Sequence, residues 1–258
     1  MTERPYLVDK PVGATPLEAL GLLRDVRGLP ASTKLAYAGR LDPLASGLLV
    51  VLRGGLLQEQ ERFWHLPKEY DVTLLVGLTT DSHDLLGLPA LVAPPPDAPE
   101  RITGAVRALV GKQYVSVPVY SSWKHDGRPL FQWARESDGI PPAVPVRRMT
   151  VSQIDVHEVG TMTRDDLRSV VRSRIPLVRG DFRQDAISAA WERVLDADGQ
   201  WPTIRLTIHC GSGTYVRSLA HTIGRRLGSG AVVTDLRRTR VGGWRVTDPG
   251  VLAPLWRG

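Results

Sequence analysis

The chain has 258 residues, 42% hydrophobic and 23% charged, which is enough to bury a sizeable core and ordinary for a globular protein. No apolar run approaches the roughly 20 residues of a membrane helix, and the start MTERPYLVDK lacks a secretory apolar segment, so a cytoplasmic location is expected. Net charge is +6 and lies wholly in the last quarter: residues 201–258 hold nine arginines (Arg205, Arg217, Arg225, Arg226, Arg237, Arg238, Arg240, Arg245, Arg257) against Asp235 and Asp248.

In chain order, PYLVDKPVGATPLEALGLLRDVRG reads as strand, turn and helix. Thr15 supplies a hydroxyl cap, Pro16 the first helical position, Glu18 the acid three residues past the cap, and Gly28 the stop. GLLVVL (47–52) suits a buried strand, which puts Asp42 in the loop that feeds it, with Pro43 disfavouring helical geometry at Asp42. In EYDVTLLVGL, Tyr70, Val72, Leu74 and Val76 alternate with Asp71, Thr73 and Leu75, the period of a strand with Tyr70 on its apolar face. Residues 88–100 read as a proline-rich surface loop and 102–111 as a helix. The arginine-rich block 161–195 reads as two helices broken at Ile175-Pro176 and Gly180, with Thr163 and Asp181 as caps. TIRLTIHC (203–210) alternates as a strand, GSG turns the chain, and Val216, Leu219, Ala220, Ile223 and Leu227 form a helical stripe ending at Gly228. Strands and helices mix without strict βαβ alternation, so an α+β (mixed α/β) domain is expected.

Arginine's planar fork suits phosphate, so the C-terminal excess points to a polyanionic partner; a solvated basic surface is the alternative. Cys210 is the single cysteine and the six histidines form no HxxxH pair, which argues against a disulfide framework and a metal centre.

Five stretches carry a resemblance: Lys10-Pro11-Val12-Gly13; Gly39 through Leu49 (GRLDPLASGLL); Lys68-Glu69-Tyr70 with Thr80 through Gly87; VPVYSSWKHDGRPLFQWARE (117–136); and Gly213-Thr214-Tyr215-Val216-Arg217. In this order they resemble the TruB family of pseudouridine synthases, which isomerise uridine in the T loop of tRNA. The resemblance implies the pseudouridine synthase fold, a largely antiparallel mixed sheet flanked by helices, with a central catalytic cleft. It implies an RNA partner, tRNA foremost, no metal or organic cofactor, no obligate protein partner, and a monomer by default. Asp42 stands as the catalytic carboxylate acting at the ribose C1′, Tyr70 as the ring on the uracil, and Arg217 as the partner that orients Asp42. Tyr37, Arg40, Tyr215, Leu236 and Lys10 stand as substrate-binding residues, Leu236 beneath the base.

The sequence departs from the family at two points. Tyr37 stands where the family usually has histidine, and Arg40 before Leu41 gives GRLD, similar to the RluA branch. The expected layout is a single catalytic domain over residues 1–258 without a C-terminal PUA domain, with the 161–195 block as an insertion that either supplies some of the RNA grip such a domain would give or is a peripheral helical hairpin with solvated charges. A non-catalytic RNA-binding protein, a synthase for another RNA, and a carboxylate-dependent sugar hydrolase are the competing readings.

Overall fold

The computed structural model describes residues 3–96, 98–136, 144–196 and 198–253. Its strands are β1 (Tyr6–Lys10), β2 (Leu35–Tyr37), β3 (Ser46–Arg53), β4 (Lys68–Val76), β5 (Leu78–Thr80), β6 (Pro89–Leu91), β7 (Gly111–Ser116), β8 (Lys124–His125), β9 (Arg128–Pro129), β10 (Val146–Thr163), β11 (Gln200–Cys210), β12 (Ala231–Val241) and β13 (Trp244–Arg245). The helices are α1 (Pro16–Arg27), α2 (Gln60–Trp64), α3 (Pro99–Arg107), α4 (Leu130–Glu136), α5 (Arg164–Arg174), α6 (Gln184–Val194) and α7 (Val216–Leu227). The main sheet runs β1-β3-β12-β4-β11-β10-β7, with β2 beside β3 and β13 beside β12. Every pairing is antiparallel except β3 with β12.

Alternation along β4 decides the two faces. Tyr70, Val72, Leu74 and Val76 pack with Ile102 and Val106 of α3 and with Leu219, Ala220 and Ile223 of α7. Leu75 turns to the other face, where Leu167 and Val171 of α5 and Ile187 and Trp191 of α6 cover it. Trp191 is fully buried and its Nε1 donates to the Leu85 carbonyl at 3.1 Å, so its ring leaves no unmet donor. α1 begins as its sequence dictates, with the reciprocal Thr15–Glu18 capping box, and ends at Gly28 in the left-handed region. It packs Ala19, Leu20 and Leu23 on Val8, Leu49 and Val51.

Two readings shift, and one long strand has no period to read. The 102–111 helix is α3, which starts earlier, at Pro99, and ends at Arg107 because Gly111 already opens β7. Thr163 caps α5 with a full capping box, but the position expected of Asp181 is taken by Arg183 at φ 64°, without a side-chain cap bond. The 18-residue β10 escapes a period-two reading because its register slips between Val151 and Gln153 and again between Val156 and Glu158. Among the described residues no helix is long and apolar enough to cross a membrane.

Candidate active site

Asp42 lies in the turn between β2 and β3, its backbone carbonyl accepting from the Ala45 amide at 3.1 Å. The first motif forms the underside of this turn. Gly13 N donates to the Pro43 carbonyl at 2.9 Å, and the Lys10 ammonium reaches the same carbonyl at 3.4 Å while donating to Ala14 O at 2.6 Å and Pro11 O at 2.9 Å. Lys10 is fully buried, and burial lowers its pKa to about 7, with Asp42 opposing. Gly13 has φ +90°, and a Cβ there would sit 2.4 Å from the Leu177 carbonyl, so only glycine allows this close approach.

Arg217, in the first turn of α7, meets Asp42 with a two-pronged fork: Nε donates to Oδ2 at 2.7 Å and Nη2 to Oδ1 at 2.9 Å. The remaining donors tie the guanidinium to two loops, Nη1 to Ser82 O at 2.8 Å and Nη2 to Tyr120 O at 3.1 Å. Asp84 Oδ2 stands 3.6 Å from Nε. Only 4% of the Arg217 side chain is exposed, against 34% for Asp42, so the buried partner holds the accessible one. Burial works against the Arg217 charge, but Asp42 and Asp84 more than offset it and hold its pKa above the ordinary value. Burial pushes the Asp84 carboxyl up, with Arg217 opposing, and Ser82 Oγ (2.6 Å) and Leu86 N (3.0 Å) both donate to its Oδ1.

Tyr70 is buried in β4 between Ile208 of β11 and Arg238 of β12. Burial raises its phenol pKa, and the Arg238 guanidinium opposes the shift. Leu236 lies opposite Val72 in the same apolar cluster. Tyr215 precedes α7; burial raises its phenol, Asp42 adds to the rise, and Arg217, Arg147 and Arg40 oppose it, so these charges converge on one place. Arg40 is exposed and donates to Ser122 Oγ at 2.8 Å.

The structure thus gathers Asp42, Tyr70, Arg217, Tyr215 and Leu236, with Arg40 at the rim. Lys10 lies underneath, its ammonium given over to carbonyls. Tyr37 packs toward the α1 cluster, its ring 6.0 Å from the Arg40 guanidinium.

A family model described as TruB family pseudouridylate synthase (N terminal domain) matches residues 27–173, more than half of the chain. The chain belongs to the TruB family. It is 32% identical over 247 residues to tRNA pseudouridine synthase B of Desulfotalea psychrophila, covering 94% of this chain and 83% of the relative. The protein of the same name from Opitutus terrae is 30% identical over 243 residues, covering 94% and 82%. That from Aromatoleum aromaticum is 31% identical over 249 residues, covering 96% and 66%. Among solved structures, the crystal structure of a Cbf5-Nop10-Gar1 complex matches with a TM-score of 0.59 at 21% identity over 96% of this chain. The structure of an H/ACA RNP bound to a substrate RNA containing 2'-deoxyuridine matches with 0.57 at 19% over 96%. The chain spans about half the length of these two structures, 51% and 50%, and the likeness is one of fold.

Sequence reading of this TruB-family chain passed over several residues that build the site. Asp84 and Ser82 lie in TTDSHD, whose paired acids were a usable signal. Tyr120 acts through its backbone carbonyl, which no side-chain pattern reveals. Arg238 is 1% exposed and binds the chain on either side of Asp42: Nε donates to Leu48 O at 2.7 Å, Nη1 to Arg40 O at 3.0 Å and Nη2 to Gly39 O at 3.4 Å.

Part of the arginine excess is taken up by pairing within the chain. Arg237 pairs with Asp9, Arg205 with Glu158, Arg245 with Glu69 and Arg217 with Asp42, while Arg257 lies outside the described residues. In the 161–195 block, Arg164, Arg168, Arg172, Arg174 and Arg183 all pair with protein carboxylates. The block's apolar side forms the second core layer.

Proposed function

We propose that this TruB-family chain isomerises uridine to pseudouridine in RNA, with the T loop of tRNA as its substrate. The reaction breaks the N1–C1′ bond, turns the freed uracil and joins C5 to C1′; C5 gives up its proton and N1 gains one, so no atom is lost. The observation that carries the reading is the Asp42–Arg217 fork, with Tyr70 and Leu236 on the same sheet face. A carboxylate locked by a buried guanidinium and still open to solvent is equipped to act at a ribose C1′. Tyr70 would lie against the uracil and stays protonated near neutrality, and Leu236 supplies apolar floor. The target base lies stacked in folded RNA and must be flipped out to reach this place. On this reading the chain works as a single catalytic unit in the cytoplasm, as a monomer, without a cofactor. The relatives named tRNA pseudouridine synthase B support tRNA as the substrate class.

The test is incubation of wild type and Asp42→Ala with an unmodified tRNA transcript, followed by detection of pseudouridine. Product from wild type and none from the variant is expected. Equal product from both overturns the role of Asp42, and tight RNA binding without product from wild type favours a binding protein on the same scaffold.

A further inference from the structure

The sheet ends at β7, where Lys112, Tyr114 and Ser116 are exposed in alternation with buried Gln113 and Val115. Register sets Tyr114 opposite Arg148, Ser116 opposite Val146 and Lys112 opposite Thr150 on β10. Tyr114 and Val146 are therefore diagonal neighbours on one face, 71% and 62% exposed. Two cations, Lys112 and Arg148, rim this apolar pair. Unlike Arg205, Arg237 and Arg245 of the C-terminal region, neither is ion-paired with a carboxylate among the described residues.

The next residue ties this face to the site. Arg147 sits opposite buried Val115 and turns to the α7 side, its guanidinium 4.4 Å over the Trp123 ring and close enough to bear on Tyr215. Consecutive arginines of β10 thus present charge on both faces of the sheet's last strand pair, one toward Trp123 and Tyr215 and one beside Tyr114. A strand of RNA passing the first can turn over the edge of β7 onto the second.

We infer that the Tyr114–Arg148–Lys112 face is a second RNA contact, where a base of the RNA held at Asp42 stacks on Tyr114 and its phosphates meet Arg148 and Lys112. The inference rests on the proposed function. Aromatic rings interleaved with cations are the arrangement that holds single-stranded nucleic acid without reading its sequence. A second copy of the chain docked here about a two-fold axis would set Lys112 and Arg148 against their own like charges, which disfavours self-association.

Binding of the unmodified tRNA transcript and its turnover test this together. Tyr114→Ala should weaken binding about five-fold or more, and Tyr114→Phe, which keeps the ring, should restore it. Arg148→Ala should weaken binding and lower the slope of log affinity against log salt by about one. Both losses should raise KM and leave kcat at saturating RNA in place. Wild-type affinity and salt slope in Tyr114→Ala and Arg148→Ala overturn the inference, as does a dimer in sedimentation that Tyr114→Ala dissolves. Wild type that binds the transcript without converting it refutes the proposed function, while the binding arm still decides this contact.

Discussion

Arg217→Met removes the one group that touches Asp42, Asp84, Ser82 O and Tyr120 O together. Methionine fills similar volume, so the loss is electrostatic. Asp42 is one-third exposed and can turn to water, but Asp84 is buried and loses the cation that opposes the upward push of burial, so its carboxyl stays unpaired or takes up a proton, while two carbonyls lose a donor. Breaking a buried pair by deleting one partner costs about 3–5 kcal/mol. At about 2.1 cal/mol/K per residue, a chain of this length unfolds with an entropy near ~0.5 kcal/mol/K, so the melting temperature should fall by about 6–9 °C. Asp84→Asn in the Arg217→Met background replaces the unpaired carboxyl by a neutral amide yet keeps an oxygen for Ser82 Oγ and Leu86 N. It should recover at least ~1 kcal/mol, a coupling visible in a double-mutant cycle by thermal unfolding. Arg217→Lys keeps a charge but not the fork and should fall between. Arg217→Met within ~1 kcal/mol of wild type, or an Asp84→Asn change that only adds to its loss, would refute the account of Arg217 as the hub of the site.

Further expectations follow from single contacts. Gly47 has φ +104°, and a Cβ there would sit 2.3 Å from the Arg238 carbonyl, so Gly47→Ala should destabilise by at least ~3 kcal/mol, read as a lowered denaturation midpoint. Thr15→Ala opens the α1 capping box and should lose about 1 kcal/mol while turnover on tRNA stays unchanged. His83 is stacked on His221 at 4.2 Å, and its pKa falls from 6.5 to about 3 through burial first, then the charges of His221 and Arg217. The unfolded chain therefore binds more protons between these values, and the stability present above pH 6.5 is lost as pH falls toward 3. Between pH 6.5 and 4 the loss is about 3 kcal/mol. His83→Asn, which tolerates the φ of 64° found there, should flatten that slope in thermal melts; an unchanged slope assigns it elsewhere.

Local signals carried much of the fold into view. The Thr15-Pro16-Glu18 start, Gly28 and Gly228 stops, and the alternation from Tyr70 to Val76 each depend on neighbours a few residues away, and each holds. The Asp42 turn and its pairing with Arg217 span 175 residues and became legible only through motif resemblance. What stayed hidden was non-local or lacked a period. The slips in β10 reset its alternation, Tyr120 contributes a carbonyl, and Tyr37 turns toward α1 because its register partner Val51 belongs to that face.

Charge was the least transparent signal, for a physical reason. Counting arginines measures formal charge, whereas RNA responds to the field left after internal pairing. Arg238 is wholly inside, holding Gly39, Arg40 and Leu48 carbonyls around the Asp42 turn, and Arg217 is inside holding Asp42 itself. These two stiffen the site that acts on RNA rather than attracting RNA to it. Attraction falls instead to cations without carboxylate partners: Arg40 and Arg147 on the Asp42 side of the sheet, and, on the inference drawn above, Arg148 on the other. Substitution at any of these should therefore change the salt dependence of binding, and substitution at Arg238 should change folding stability instead.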